Sequence, residues 1–302
     1  QEEIADLLDY NIGFDTEGSL KEQVVERITL YLEKKKEAIA KKKKLDINTP
    51  QNNQIILGNN IEFKGNIFPS QIFYINDKRV LPDVDGKFRL LLAVEYGQND
   101  FKIKALGEER SISVFALKQY KDLIGHWAGD TASKLRFFGV FEDKANFLPK
   151  KVVSRGEFAS KLVKTFGLTK TEDVSFQPKD VISDDPFYDD ILIVISAGIL
   201  KGDNKGLFKS KKSISKAEAL TAIVRACQFE TDNSVADESG FPFMDVSKTH
   251  WVKPYLSEAL KHKIVTSRAY FFPRKPLWRA ELAAMLGKVP IMQKKFEEVF
   301  PK

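Results

Sequence analysis

"SRGEFASKLV" at Ser154–Val163 recurs in altered form as "SKAEALTAIV" at Ser215–Val224 and as "WRAELAAMLG" at Trp278–Gly287. Each copy opens on a basic residue, Arg155, Lys216 or Arg279, with Glu157, Glu218 or Glu281 two places later. Other marks keep step. An aromatic stands eight residues before each basic one (Phe147, Phe208, Phe271), and Pro149 and Pro273 follow it in the outer copies. A leading aspartate begins each copy: Asp122 in "DLIGHW", Asp180 in "DVISDDPF" and Asp245 in "DVSKTHW". The stretches "FFGVF", "SAGIL" and "KHKIV" then close a first helix. Each unit therefore reads as helix, loop, helix. Such a pair cannot bury both of its apolar faces alone, so three units must pack together. "ILIVIS" would read as a strand in isolation, but its place in the repeat predicts a helix.

Composition sets the wider limits. The 302 residues are 43% hydrophobic and 30% charged, as in a soluble globular chain of two or three domains. No run of about 18 apolar residues occurs, so no membrane-spanning helix is expected. The chain begins with Gln1 and no signal-peptide pattern follows, which suggests a processed or partial chain whose export signal lies outside it. The single cysteine, Cys227, falls at an apolar helical position, so an intramolecular disulfide is excluded and a packing role is expected. The formal charge of +6 and pI near 9.0 favour an anionic partner. Many of the cations crowd "EKKKEAIAKKKK", which reads first as a solvated helix end and second as a contact for nucleic acid or anionic lipid.

Residues 1–47 have a helical pattern: "IADLL", a turn at "FDTEG", then "SLKEQVVERITLYL" with Ser19 and Glu22 spaced as a capping box. "GSLKEQVVERI" is faintly similar to the helix-extension-helix of SAP-type modules, which commonly bind DNA. "INTPQNNQ" reads as a linker. Across residues 52–118 the period changes to two, in short β-branched or aromatic runs separated by Asn, Asp, Gly and Pro, predicting an antiparallel sandwich. Asn76, Asp77, Asp85 and Gly86 are placed where turns need positive φ. The order of "KGNIFPSQIFYINDKRVLPDVDGKFRLLLAVEYGQNDFKIKA" resembles bacterial immunoglobulin-like modules of surface proteins, with Asp77 where that family prefers Gly. Asp83 and Asp85 read as turn formers in preference to calcium ligands, since calcium takes six or more oxygens.

From Lys121 onward, "DLIGHW", "GILKGDNKGLFK" and the thrice-written basic-x-Glu stretch resemble S-layer homology repeats. The fold expected is thus a multidomain α+β chain: a helical segment at 1–47, an immunoglobulin-like β-sandwich at 52–118, and an all-α pseudo-trimer of repeats at 119–302 (119–172, 177–231 and 241–302). The resemblance implies non-covalent anchoring to the bacterial cell envelope. Its expected partner is a cell-wall polysaccharide, pyruvylated or peptidoglycan-associated, held in the grooves of the trimer.

The residues supply a mechanism for that implication. Ser154 and Glu157 are spaced as a capping box, but Arg155 is a cation at the positive end of a helix dipole, unfavourable unless an anion is near. Helix amides plus an arginine fork suit a carboxylate or phosphate. Equally, the arginine could pair within the chain, with a leading aspartate; the resemblance favours ligand contact. The candidate polymer-binding set is Arg155, Lys216, Arg279, Asp122, Asp245, Trp127 and Trp251. The two tryptophans either present a face to sugar or, being at helix starts, belong to the core. His126 and His250 read as local packing or capping groups, and no metal or cofactor is expected. Three departures weaken parts of the pattern. Lys216 loses the arginine fork, "DDPFYDD" puts Asp184, Asp185, Asp189 and Asp190 where they repel an anionic polymer, and Trp278 stands where a cap belongs. One or two working grooves are therefore expected. No nucleophile, base and carboxylate recur as a catalytic motif, so the chain reads as a non-enzyme. A different reading makes it an envelope-assembly component whose modules bind protein partners. Nucleic acid is disfavoured for an exported chain, and steep salt dependence would be its mark.

Overall fold

The computed structural model describes residues 26–34, 45–67, 71–170, 177–231 and 241–300. It holds strands and helices together, a mixed α+β chain. The N-terminal turn, the Ser19–Glu22 capping box and most of the lysine run lie outside the described residues; residues 26–34 form helix α1. Contacts divide the chain into two compact units. The first comprises Gln1–Gln51, Glu62–Leu92 and Phe101–Ile112, and the second Asn52–Ile61, Ala93–Asp100 and Ser113–Lys302.

Among the described residues eight strands follow one another: β1 (Asp46–Thr49), β2 (Gln54–Leu57), β3 (Asn60–Asn66), β4 (Phe73–Ile75), β5 (Lys78–Val80), β6 (Lys87–Ala93), β7 (Gly97–Ala105) and β8 (Glu108–Leu117). They form a three-stranded sheet, β1-β3-β6, and a five-stranded sheet, β2-β8-β7-β4-β5. β3, β6, β7 and β8 each contribute residues to both units.

In the first unit the period-two pattern does what alternation requires. Phe63, Phe73, Ile75, Phe88, Phe101 and Ile103 point inward and are buried, while their neighbours face out. Edge-to-face pairs join the sheets: Phe63 of β3 meets Phe101 of β7 (4.9 Å), and Phe73 of β4 meets Phe88 of β6 (4.7 Å). Asn76 and Asp77 make the β4–β5 hairpin at φ 46° and 60°, and Gly86 turns at 82°. Asp85 is not in the left-handed region. Its amide and that of Lys87 instead donate to Asp83 Oδ1 (3.0 and 2.8 Å), so Asp83 organises the turn.

Gly65 is where the sheet tolerates no side chain. A Cβ there would lie 2.0 Å from the Asp46 carbonyl oxygen and 2.8 Å from the Phe88 ring. Because the nearer obstacle is backbone, Gly65→Ala should destabilise this unit by about 3 kcal/mol, the upper part of the overpacking range. Urea denaturation followed by circular dichroism in the strand region checks it, and a shift below about 1 kcal/mol would refute the close packing.

One strand departs from the antiparallel expectation. In the second unit β2 runs parallel to β8, with Gln54 opposite Val114 and Leu57 opposite Leu117. Alternation alone does not encode strand direction.

The rest of the second unit is helical: α2 (Gly129–Phe137), α3 (Arg155–Phe166), α4 (Tyr188–Ser196), α5 (Lys216–Ala226), α6 (Lys253–Lys261), α7 (Arg279–Leu286) and α8 (Pro290–Val299). "ILIVIS" lies in α4, a helix as the repeat requires. The second helix of each repeat packs on the first helix of the next: α3 on α4, α5 on α6, and α7 back on α2. A shared core fills the middle, including Phe158, Leu220, Leu256 and Leu282, each fully buried. α8 stands outside the repeat pattern and gathers Phe296 and Phe300 with Phe115, Phe137 and Phe138 in an aromatic cluster. Cys227 caps α5 half-buried, and burial pushes its thiol up to about 12, which keeps it protonated.

Candidate functional site

The three units close into a ring through the short segments ahead of their second helices. The Val153 amide donates to Leu277 O (2.9 Å), the Leu277 amide to Ile214 O (3.0 Å) and the Ile214 amide to Val153 O (3.0 Å). All three side chains are fully buried. Just beyond, the first amide of each second helix reaches the following unit: Arg155 to Lys212 O (2.8 Å), Lys216 to Lys275 O (3.0 Å) and Arg279 to Lys151 O (3.0 Å). The next amides do the same, Gly156 to Ser210 O, Ala217 to Pro273 O and Ala280 to Pro149 O. Ser154 and Ser215 take the amides of Glu157 (3.1 Å) and Glu218 (3.3 Å). The helix N-termini therefore have few amides to spare for an anion, contrary to the expectation that these donors would form its site.

The leading aspartates have the same duty in every copy. Asp122 accepts from the amides of Phe147 and Leu148 (2.7 Å each), Asp180 from Phe208 and Lys209 (2.7 Å each), and Asp245 from Phe271 (2.8 Å) and Phe272 (2.7 Å). The second residue of each pair sits in the left-handed region, Leu148 at φ 60°, Lys209 at 61° and Phe272 at 60°. A carboxylate gripping two successive amides holds that bend and seats the preceding aromatic in the core. Each oxygen of Asp122 and Asp245 thus accepts an amide of its own loop, which gives these two candidate residues a structural duty. Among the described residues no leading aspartate lies within ion-pair distance of an arginine, but Asp180 supports the Arg155 charge at longer range. Asp180→Ala should cost about 2–3 kcal/mol, since two charge-assisted bonds are lost and two amides stranded. Denaturant melts check it, and Asp180→Asn should fall between the two.

The three helix-start cations share a topology but differ in what surrounds them. Each leans on an aromatic from the next unit: Arg155 on Phe208 (4.7 Å), Lys216 on Phe272 (5.8 Å) and Arg279 on Phe147 (4.9 Å). Each also faces the next unit's capping glutamate: Arg155 with Glu218 (3.5 Å), Lys216 with Glu281, and Arg279 with Glu157 (3.5 Å). Arg155 further donates to Phe208 O and Lys201 O (2.8 Å each). Arg279 further donates to Glu142 (2.9 Å). Both guanidinium groups are buried and paired within this chain, with Arg279 Nε left without a hydrogen-bond partner among the described residues. Among the described residues Glu281 is the ionic partner of Lys216, whose ammonium keeps donors free.

Lys216 lies in a groove of about 1390 Å³. Four aromatics line it with much of their surface open: Trp127 (65% exposed), Tyr270 (49%), Trp278 (45%) and Phe272 (39%). Lys134, Lys216, Arg268, Lys275 and Lys288 face it against Asp130, Glu281 and Glu297, a cationic excess. β2 contributes Ile55 and α8 contributes Phe296, so elements with no counterpart in the other repeats complete the wall. Trp127 is therefore a surface aromatic and not core, and so is Trp251 (53% exposed), which does not line this groove. His126 and His250 accept the amides of Ala128 and Val252 at Nδ1 (3.1 Å each), capping the turns that present the tryptophans.

The S-layer homology domain profile matches residues 119–159 and 179–220, the first two units of this ring. Two segments of the chain are thus similar to the S-layer homology domain. The chain is 27% identical over 194 residues to the surface-layer 125 kDa protein of Lysinibacillus sphaericus, covering 61% of this chain and 16% of that protein. It is 28% identical over 174 residues to the amylopullulanase of Thermoanaerobacterium thermosulfurigenes, covering 56% of this chain and 9% of that enzyme. The chain thus matches only a small part of either relative's length. It is a cell-surface envelope protein, and no helix among the described residues is long and apolar enough to cross a membrane.

In the first unit a buried lysine anchors a further charge network. Lys161, fully buried in α3, donates to Glu142, which also holds Arg279. Burial acts to raise the Glu142 carboxyl, but the hydrogen bond and charge of Lys161, helped by Arg279, bring it down to about 2. The corresponding residues of α5 and α7 are Ala222 and Met285. Glu142 was not singled out in the sequence. The available signal was Lys161, a charged residue in the apolar stripe of a helix.

Proposed function

We propose that the chain is a non-catalytic anchor that holds an anionic cell-wall polysaccharide in the Lys216 groove, with the β unit as an immunoglobulin-like spacer. The third unit, residues 241–302, is taken as a divergent S-layer homology repeat, since its aspartate, loop and cation make the same bonds as the other two. The observation that carries the proposal is the co-location of Trp127, Trp278, Tyr270 and Phe272 with Lys216 and Arg268 in one open groove. Exposed aromatic faces stack on sugar rings, and ammonium and guanidinium groups pair with pyruvyl carboxylates or phosphates. Wall polysaccharide bears both features. Of the candidate residues, Lys216 and Trp127 are assigned to ligand contact, while Arg155 and Arg279 act by holding the groove walls in register. Co-sedimentation with sacculi, before and after acid extraction of wall polymers, tests this. Pelleting should be strong before extraction and lost after it. Equal pelleting on extracted sacculi, or none on intact ones, would refute it.

A further inference from the structure

The junction ahead of each second helix carries more positive charge than the ring needs. The segments 150–157, 211–218 and 274–281 each hold three cations and one glutamate. Two of the three cations form a pair at the loop tip: Lys150–Lys151, Lys211–Lys212 and Arg274–Lys275, all exposed. The carbonyls of Lys151, Lys212 and Lys275 accept the bonds that join neighbouring units, so the three pairs are fixed around one axis. That axis is plugged by buried Val153, Ile214 and Leu277. The local glutamates are committed: Glu157 to Lys151 and Arg279, Glu218 to Ser215 and Arg155, Glu281 to the Trp278 amide and Lys216. Among the described residues, Lys150, Lys211, Lys212 and Arg274 have no carboxylate within ion-pair distance. Like charges gathered on a rigid frame repel, and an anionic chain laid across them relieves that repulsion.

We propose that this crown of six cations, which meets the aromatic groove only at Lys275, is a second site that takes a linear polyanion bearing a phosphate or carboxylate on each repeating unit. Among the described residues only one of its cations, Lys275, lies over an aromatic ring (Phe272, 3.8 Å), so it selects charge spacing and not sugar identity. It would hold an anionic envelope polymer by counterion release, weakly at each contact and steeply dependent on salt.

The test uses the full chain with Lys34, Lys35, Lys36, Lys41, Lys42, Lys43 and Lys44 replaced by Gln in every arm, so that this basic stretch does not contribute. Sodium polyphosphate is titrated at about 50 mM and about 200 mM salt, with polygalacturonate in a parallel arm to separate phosphate from carboxylate preference. Four neutralised charges would weaken binding on the order of 50-fold between the two salts. Lys150→Ser, Lys211→Ser and Arg274→Ser together should lower low-salt affinity by about tenfold or more. None of the three lines the groove. Replacing the two lysines by Arg, with Arg274 kept, should restore binding, while Lys164→Ser, Lys179→Ser and Lys248→Ser together, three exposed lysines outside both crown and groove, should leave it nearly unchanged. Absence of binding at low salt, a crown variant as tight as its parent, or an equal loss in the Lys164, Lys179 and Lys248 variant would each overturn the crown. Because the crown variant keeps the groove, its sedimentation with sacculi reports on the anchor reading separately.

Discussion

Glu142→Ala is expected to destabilise the helical unit by roughly 3–5 kcal/mol, although Glu142 is itself partly exposed. The cost lies in what it leaves behind. Lys161 loses its carboxylate while remaining buried, and Arg279 keeps only the longer contact with Glu157 at 3.5 Å. The same network sets a pH dependence. The folded Glu142 carboxyl sits near 2, below its ordinary 4.5, so its stabilisation is complete above about 4.5 and disappears as pH falls towards about 2. Urea melts of the native chain should therefore lose stability through that window, and Glu142→Gln should flatten the slope there. A change below about 1 kcal/mol in Glu142→Ala at neutral pH would mean that Lys161 finds another partner.

Lys216→Glu is expected to weaken binding of wall polymer by roughly a hundredfold or more, equivalent to about 2.7 kcal/mol. The substitution removes the central cation and sets a second carboxylate beside Glu281 in a groove that must accept an anion. Surface plasmon resonance on immobilised polymer reads this directly. Lys216→Arg should retain most of the affinity, since the charge stays. If Lys216→Glu bound as well as the native chain, the groove would not be the polymer site.

The sequence made the repeat legible because capping and helix periodicity are local. Basic-x-Glu, the aromatic eight residues earlier and the leading aspartate all proved to be parts of one joint, made three times. The roles inside that joint were harder to read. An aspartate far from its amides in the chain gives no local sign that it will clamp them, so Asp122 and Asp245 looked like ligand groups. Arg155 and Lys216 occupy the same repeat position, and the arginine promised the better anion site. Which of them stays open depends on the neighbouring loop: Lys201 O and Phe208 O meet Arg155, whereas Lys216 opens on Trp127, Trp278 and Arg268. Those residues lie far apart in the chain and meet only through ring closure. The walls from β2 and α8 have no counterpart in the other copies, so no internal comparison could have supplied them.

The most direct test is a calorimetric titration of the native chain with soluble polymer released from sacculi, beside the Trp127→Ala, Lys216→Ala double variant. One binding site per chain in the native protein, abolished in the double variant with its melting profile retained, is the predicted result. Three equivalent sites, or heat unchanged in the double variant, would contradict a single open groove and return Arg155 and Arg279 to the ligand.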